Sequence, residues 1–90
     1  MQDLAAFRSQ IDQLDHQLLQ VLAKRFNVVQ QIADWKQSNG HEARDVNRYK
    51  NMVNERKQWA AALGVSEEFL AKLLYLIHEE SVRVQKEKFD

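Results

Sequence analysis

The sequence contains no cysteine and no proline, and glycine occurs only at positions 40 and 64. Without cysteine the chain can form neither a disulfide framework nor a thiolate metal site. With so few helix-breaking residues, long uninterrupted helices are expected and a sheet is not. These absences predict an all-α fold built from a few elements.

The chain also lacks an excess of charge of either sign, because 13 basic residues balance 13 acidic ones. This balance argues against binding to nucleic acid or to an anionic membrane through bulk positive charge. No stretch of 18 apolar residues occurs, and no apolar signal region follows Met1. His16 and His41 have no partners at metal-ligand spacing, so no metal site is expected. The expectation is a soluble cytoplasmic protein.

Capping residues divide the chain into three helices within one domain, residues 1–90. Asp3 is a candidate N-cap for a helix over residues 4–38, and Asn39 and Gly40 form its stop. A polar loop is predicted at 41–44. The Asp45 cap then begins a helix that continues to Leu63, and Ser66 caps a third helix beyond Gly64.

The first predicted helix has apolar residues at alternating steps of three and four, which indicates one continuous face turned toward a partner. They are Leu4, Phe7, Ile11, Leu14, Leu18, Val21, Val28, Ile32 and Trp35. Arg25 interrupts this face, and Lys36 follows one turn after Ile32. Because buried cations are costly unless an anion pairs with them, these two positions predict an anion-binding site on the helix.

The length of this helix predicts a second chain. Its 35 residues span roughly 50 Å, whereas a compact globule of this size has a diameter of roughly 31 Å. Arg8 lies 17 residues before Arg25, so the two are roughly 25 Å apart along the axis. Antiparallel pairing of two chains would bring Arg8 of one beside Arg25 of the other.

The third helix carries uncharged polar residues where its stripe of Leu74 and Ile77 predicts apolar ones, at Ser81 and Gln85. Each polar residue has a structural alternative. Arg25 alone could set register or extend its charge into water, Ser81 could be a small packing residue, and Gln85 could lie at a frayed surface. Asp45 could simply cap its helix and pair with Arg48. Several polar residues stand where apolar ones are expected, on helix faces that should meet, and together they favour a ligand site.

The ordered set of motifs resembles the all-helical (AroQ class) chorismate mutases. The first is Phe7-Arg8-x-x-Ile11-Asp12-x-x-Asp15-x-x-Leu18-Leu19-x-x-Leu22-x-x-Arg25. Ile32-Ala33-x-x-Lys36-x-x-x-Gly40, Asp45-x-x-Arg48 and Glu79-x-Ser81-x-x-x-Gln85 follow. Each piece is weak, but together they cover nearly the whole chain with their spacing intact.

The resemblance implies an intertwined homodimer that converts chorismate to prephenate, the branch step toward phenylalanine and tyrosine, without a cofactor. It implies that Arg25 and the partner's Arg8 hold the two substrate carboxylates. Lys36 and Gln85 would donate to the ether oxygen, and Ser81 would assist at a carboxylate. The wall near the ring hydroxyl would comprise Asp45, Arg48 and the residue at position 49.

Two positions depart from the family pattern. Tyr49 stands where an acid is usual, and His78 stands where an apolar residue is usual. Tyr49 could donate an equivalent hydrogen bond, or the substrate could be shifted to isochorismate or to the 4-amino analogue of chorismate. Because a phenol is uncharged near neutral pH, Tyr49 favours a hydroxylated substrate over one bearing an ammonium group.

Two other function classes compete with an enzyme. A helical dimerisation module without catalysis would explain the long helix, but not Lys36, Ser81 and Gln85. A DNA-binding helical protein is disfavoured by the zero net charge.

Overall fold

The computed structural model describes residues 3–40 and 46–89, which form three α-helices and no strand. These are α1 (Leu4–Asn39), α2 (Val46–Ala62) and α3 (Glu67–Phe89). The predicted all-α, three-helix fold is therefore confirmed, and each of these predicted boundaries lies within one residue of the observed one. The predicted loop at 41–44 and the predicted Asp45 cap lie outside the described residues.

The Asp3 side chain and Gly40 define the two ends of α1, as the sequence predicts. The Asp3 carboxylate accepts a hydrogen bond from the Ala6 backbone N–H at 2.9 Å, which satisfies one of the unpaired donors of the first turn. Gly40 adopts φ 72°, and its N–H donates to the Lys36 carbonyl. This left-handed conformation is one that glycine reaches without a Cβ penalty.

A tight turn joins α2 to α3. Gly64 adopts φ 75°, and the Val65 N–H donates to the Ala60 carbonyl at 2.8 Å. Ser66 caps α3, because its hydroxyl accepts a hydrogen bond from the Phe69 N–H at 3.2 Å. The turn returns the chain along α2, so α2 and α3 form an antiparallel hairpin in which Tyr49 lies against His78.

Both α1 and α2 pack on α3, which is the central helix of the chain. The buried apolar residues are few and come from all three helices. They are Val29, Ala33, Met52, Ala60, Leu74 and Val82. Only the second half of α1 contributes to this core, since no residue before Val29 in this helix is buried.

The first half of α1 extends beyond the rest of the chain. Its large apolar residues are more than half exposed, for example Leu4 at 61%, Ile11 at 56% and Leu18 at 54%. The chain measures 58 × 24 × 15 Å and its radius of gyration is 16.5 Å, whereas a compact chain of this length would have about 12 Å. The expectation that the helix is longer than its own domain is confirmed.

The burial pattern departs from the predicted apolar face in the second half of α1. Val28 and Trp35 are 51% and 55% exposed, whereas Val29 and Ala33, which the alternating pattern omits, are buried. The pattern advances by 3.5 residues per turn and an α-helix by 3.6, so the two drift apart by about 20° every seven residues. The face that packs on α3 has therefore rotated by the end of the helix.

The sequence also predicts an apolar stripe along the second helix, comprising Val46, Tyr49, Val53, Ala60 and Leu63, and the structure buries a partly different set. Val46 and Leu63 are 53% and 78% exposed, whereas Met52 is 6% exposed. In the described part of the chain, none of the helices is both long enough and apolar enough to span a membrane.

Candidate active site

An open cleft with a volume of about 300 Å³ lies where the second half of α1 meets the α2–α3 hairpin. All three helices contribute to it. It is lined by Arg25, Val29, Ile32 and Lys36 from α1, by Arg48, Tyr49 and Met52 from α2, and by His78, Ser81 and Gln85 from α3. None of these lining residues is acidic.

Arg25 connects the three helices at this cleft. Its Nη1 donates to the Ser81 hydroxyl at 3.1 Å, and its Nη2 lies 3.8 Å from the Met52 sulfur. The planar guanidinium group is thereby held between α2 and α3. A fork fixed in this way loses less conformational entropy when it binds a carboxylate.

The electrostatic surroundings of Arg25 favour an anion. Burial lowers the pKa of the Arg25 guanidinium, and the nearby positive charges of Arg56 and Arg48 lower it further. Arginine nevertheless stays protonated in proteins, so the lowered pKa reflects the free-energy cost of keeping this charge in place. An anionic ligand in the cleft would offset that cost.

The two polar residues of the α3 stripe are both buried, at 7% exposure each. Ser81 is satisfied twice, because its hydroxyl donates to the Ile77 carbonyl at 2.8 Å and accepts from Arg25. Gln85 differs: within the described residues its Oε1 is buried and accepts no hydrogen bond. A buried acceptor without a donor costs about 1–3 kcal/mol, so a donor reaching Gln85 would stabilise the site.

Aromatic rings form the wall of the cleft between α2 and α3. The centroids of the Tyr49 and His78 rings are 4.2 Å apart, and their planes are tilted by 33°. Both side chains are partly buried. The wall is thus flat and unsaturated, while Arg25, Lys36 and Arg48 make other parts of the lining cationic.

The structure brings together six of the eight residues that the sequence singles out, namely Arg25, Lys36, Arg48, Tyr49, Ser81 and Gln85. Arg8 does not line this cleft. It is an exposed residue of the extended first half of α1, roughly 25 Å along the axis from Arg25. Asp45 lies outside the described residues.

Comparison with known proteins identifies the family. The chorismate mutase type II family model matches residues 7–86, which is most of the chain. The chain belongs to the chorismate mutase type II family. The cleft residues Arg25, Lys36, Arg48, Tyr49, Ser81 and Gln85 all lie within the matched segment.

Individual relatives are larger proteins. The chain is 36% identical over 84 residues to a bifunctional chorismate mutase/prephenate dehydratase of Buchnera aphidicola subsp. Schizaphis graminum, covering 93% of this chain and 22% of that protein. It is 33% identical over 86 residues to the T-protein of Enterobacter agglomerans, covering 96% and 23%. The T-protein of Haemophilus influenzae is 32% identical over 81 residues. The chain spans less than a quarter of the length of these curated relatives.

Sequence reasoning missed two lining residues of this chorismate mutase type II chain, Val29 and Met52. Each lies one helical turn after a residue that was singled out, since Val29 follows Arg25 by four positions and Met52 follows Arg48 by four. Stepping along the helix from each candidate cation would have found both. His78 was noted only as a departure from the family pattern, and the structure places it in the lining.

Proposed function

We propose that this chain catalyses the rearrangement of chorismate to prephenate in the cytoplasm, on the route to phenylalanine and tyrosine. The observation that carries the proposal is the Arg25 fork, held by Ser81 and Met52 in a cleft that Lys36, Arg48 and Gln85 also line. Such a cleft, in a chain of the chorismate mutase type II family, suits a small molecule with carboxylates and an ether oxygen.

The reaction is an intramolecular [3,3] rearrangement, so it needs no nucleophile and no redox step. Holding the substrate in a compact chair conformation lowers the barrier by orientation and entropy. Donors directed at the ether oxygen lower it further, because negative charge grows there as the C–O bond breaks. Lys36 and Gln85 are the proposed donors, and Gln85 would present its amide N–H₂ to the oxygen.

The carboxylates are assigned to the arginines. Arg25 is the clamp contributed by the same chain, with Ser81 fixing its orientation and assisting at the carboxylate. Asp45 and Arg48 are assigned to the wall that meets the ring hydroxyl, together with Tyr49. The uncharged Tyr49 favours chorismate over its 4-amino analogue.

The second arginine clamp is the partner's Arg8 in a homodimer. The exposed apolar residues of the first half of α1 support this arrangement, because exposed apolar patches mark interaction sites. Antiparallel pairing of two such segments would cover both and would carry each Arg8 toward the other chain's Arg25. The site of one chain is then incomplete without the other chain.

Product identification tests the reaction. The protein is incubated in parallel with chorismate, isochorismate and the 4-amino analogue, and the products are followed by NMR. Prephenate from chorismate, formed faster than any product of the other two, is the expected result. Pyruvate release from isochorismate, or faster turnover of the amino analogue, would reassign the substrate. No turnover of any of the three would favour a non-catalytic dimerisation module.

Subunit mixing tests the shared site. Arg8→Ala and Arg25→Ala are each expected to be inactive, but their heterodimer has one site with both lesions and one site with neither. Activity should therefore return once subunits exchange. Mixing Arg25→Ala with Lys36→Ala is the matched control, since both residues belong to one chain's cleft and every heterodimer site keeps one lesion. Equal recovery in both mixtures, or in neither, would contradict the assignment of Arg8.

A further inference from the structure

The contact between Tyr49 and His78 lies one helical turn from the residues that hold Arg25. On α2, Met52 follows Tyr49 by three positions, and on α3, Ser81 follows His78 by three. Met52 and Ser81 are the two residues that the Arg25 fork reaches. The aromatic pair and the arginine clamp are therefore neighbouring parts of one cleft.

His78 shares the cleft-lining face of α3 with Ser81 and Gln85, at spacings of three and four residues. It lies against the Tyr49 ring at a centroid distance of 4.2 Å, slightly closer than the roughly 4.5–7 Å of typical favourable aromatic pairs, so the two rings are in direct contact. A tyrosine has two side-chain torsions, and a ring packed against one face restricts both of them. The direction of the Tyr49 hydroxyl thus depends on what occupies position 78.

The lining of the cleft has a cationic part and an aromatic part. Arg25, Lys36 and Arg48 supply permanent positive charge, whereas Tyr49 and His78 supply flat unsaturated surface. A ligand with carboxylates and an unsaturated ring would place the carboxylates at the cations and the ring at the aromatic wall. The hydroxyl of Tyr49 is then the polar atom that this wall offers to a ring substituent.

We propose that His78 is a positioning residue that fixes the Tyr49 ring, so that the Tyr49 hydroxyl meets the hydroxyl-bearing ring of the substrate. This inference rests on the proposed function, and it assigns His78 a role that operates through Tyr49. The contact is made by bound substrate and by transition state alike, so it contributes to KM and not to kcat.

Three variants distinguish a positioning role of His78 from simple packing of its side chain in the cleft. His78→Leu removes the ring that restrains Tyr49, His78→Phe keeps a ring, and Tyr49→Phe keeps the stacked ring but removes the hydroxyl. Tyr75→Phe is the matched control, because Tyr75 is a tyrosine of α3 that is 55% exposed and does not line this cleft. Thermal stability of every variant is measured alongside the kinetics with chorismate.

Loss of an aromatic pair, or of one neutral hydrogen bond, corresponds to about three- to tenfold in an equilibrium constant. His78→Leu and Tyr49→Phe are each expected to raise the KM for chorismate by that factor with kcat unchanged, and the double variant by no more than Tyr49→Phe alone. His78→Phe should restore the KM to within about twofold of wild type, and Tyr75→Phe should leave it unaltered. A fall in kcat for His78→Leu, additive effects in the double variant, or no rescue by His78→Phe would overturn the proposal.

Failure of this inference can be told apart from failure of the proposed function. If wild type does not convert chorismate, the function is wrong. If wild type converts chorismate and the KM does not respond to His78, the positioning role alone is wrong. In the ligand-free protein, Tyr49→Leu should shift the NMR signals of the His78 ring protons through loss of the ring current, and an unchanged spectrum would contradict the contact itself.

Discussion

The two halves of α1 share one helix and nearly one apolar face, but they have different surroundings. In the second half, Val29 and Ala33 are 7% and 0% exposed against α3, whereas in the first half Ile11 and Leu18 are more than half exposed. The exposed first half carries the larger share of the apolar pattern, so the difference comes from what lies opposite and not from the apolar content of the sequence. α3 covers only the second half.

The two halves of α1 are therefore expected to have different functions. The packed half holds Arg25 and Lys36 in a cleft that is already assembled in one chain. The open half carries Arg8 on a segment that a second chain is proposed to cover. Substitutions in the first half should therefore act through association, and substitutions in the second half should act through the chemistry of the site.

The largest expected effect is in the open half, at Leu18→Glu. Burying a leucine contributes about 2 kcal/mol, and a dimer loses this contribution twice, so about 4 kcal/mol, or close to a thousandfold in the dissociation constant. Sedimentation measures the dimer, and Gln20→Glu is the control because it adds the same charge about 160° around the helix. Sedimentation unaffected by Leu18→Glu would show that a second chain does not cover this face.

In the packed half, Lys36→Ala is expected to lower kcat by about 10²–10³ while changing KM much less. Its charge would meet an ether oxygen that becomes more negative only in the transition state. Steady-state kinetics with chorismate give both constants. Lys72→Ala is the control, since Lys72 is an exposed lysine of α3 that pairs with Glu68. A change confined to KM would mean that Lys36 binds ground state and transition state equally.

Gln85→Glu tests the other proposed donor in the packed half. A carboxyl group can donate to the ether oxygen only when it is protonated, so activity should persist at acid pH. Once the carboxyl ionises, activity should fall by up to about tenfold for each pH unit. The pH profile of kcat/KM checks this, with Gln85→Ala as a control of lower but pH-independent activity. A flat profile for Gln85→Glu would remove Gln85 from the donor role.

The smallest expected effect is the stabilisation of the protein by sulfate, an anion that takes the place of substrate in this experiment. Burial and the positive charges of Arg56 and Arg48 lower the pKa of Arg25, so a bound anion should stabilise the packed half. Sulfate at ten times its dissociation constant would add about 1.4 kcal/mol to the free energy of unfolding, or about 5–10 °C in Tm.

Two arginines separate site binding from the general stabilising effect of sulfate. Arg25→Ala should lose the site-specific part of the increase in Tm. Arg83→Ala should keep the site-specific part of the increase. Arg83 is an exposed residue of α3 that pairs with Glu80 and Glu87, and it does not line the cleft. Equal increases in all three proteins, measured at one chain concentration, would show that the cleft does not bind the anion.

The helix ends were predictable because each depends on residues close in sequence. Asp3 and Ser66 cap the N-termini through their own side chains, and Gly40 and Gly64 supply the left-handed conformation at the two helix stops. Arg25, Ser81 and Gln85 were predictable for a related reason. A polar residue in an apolar stripe is visible in the sequence, whatever the stripe packs against.

The tertiary structure decided which of these residues meet and which apolar side chains are buried. The contacts of Arg25 with Ser81 and Met52 span 56 and 27 residues of sequence, and the Tyr49–His78 contact joins two helices. Val29 and Ala33 are buried in place of Val28 and Trp35 because the apolar repeat drifts around the helix, and the position of α3 decides which side of the helix is covered. Local spacing thus determined the helices and their polar exceptions, and long-range packing determined the cleft.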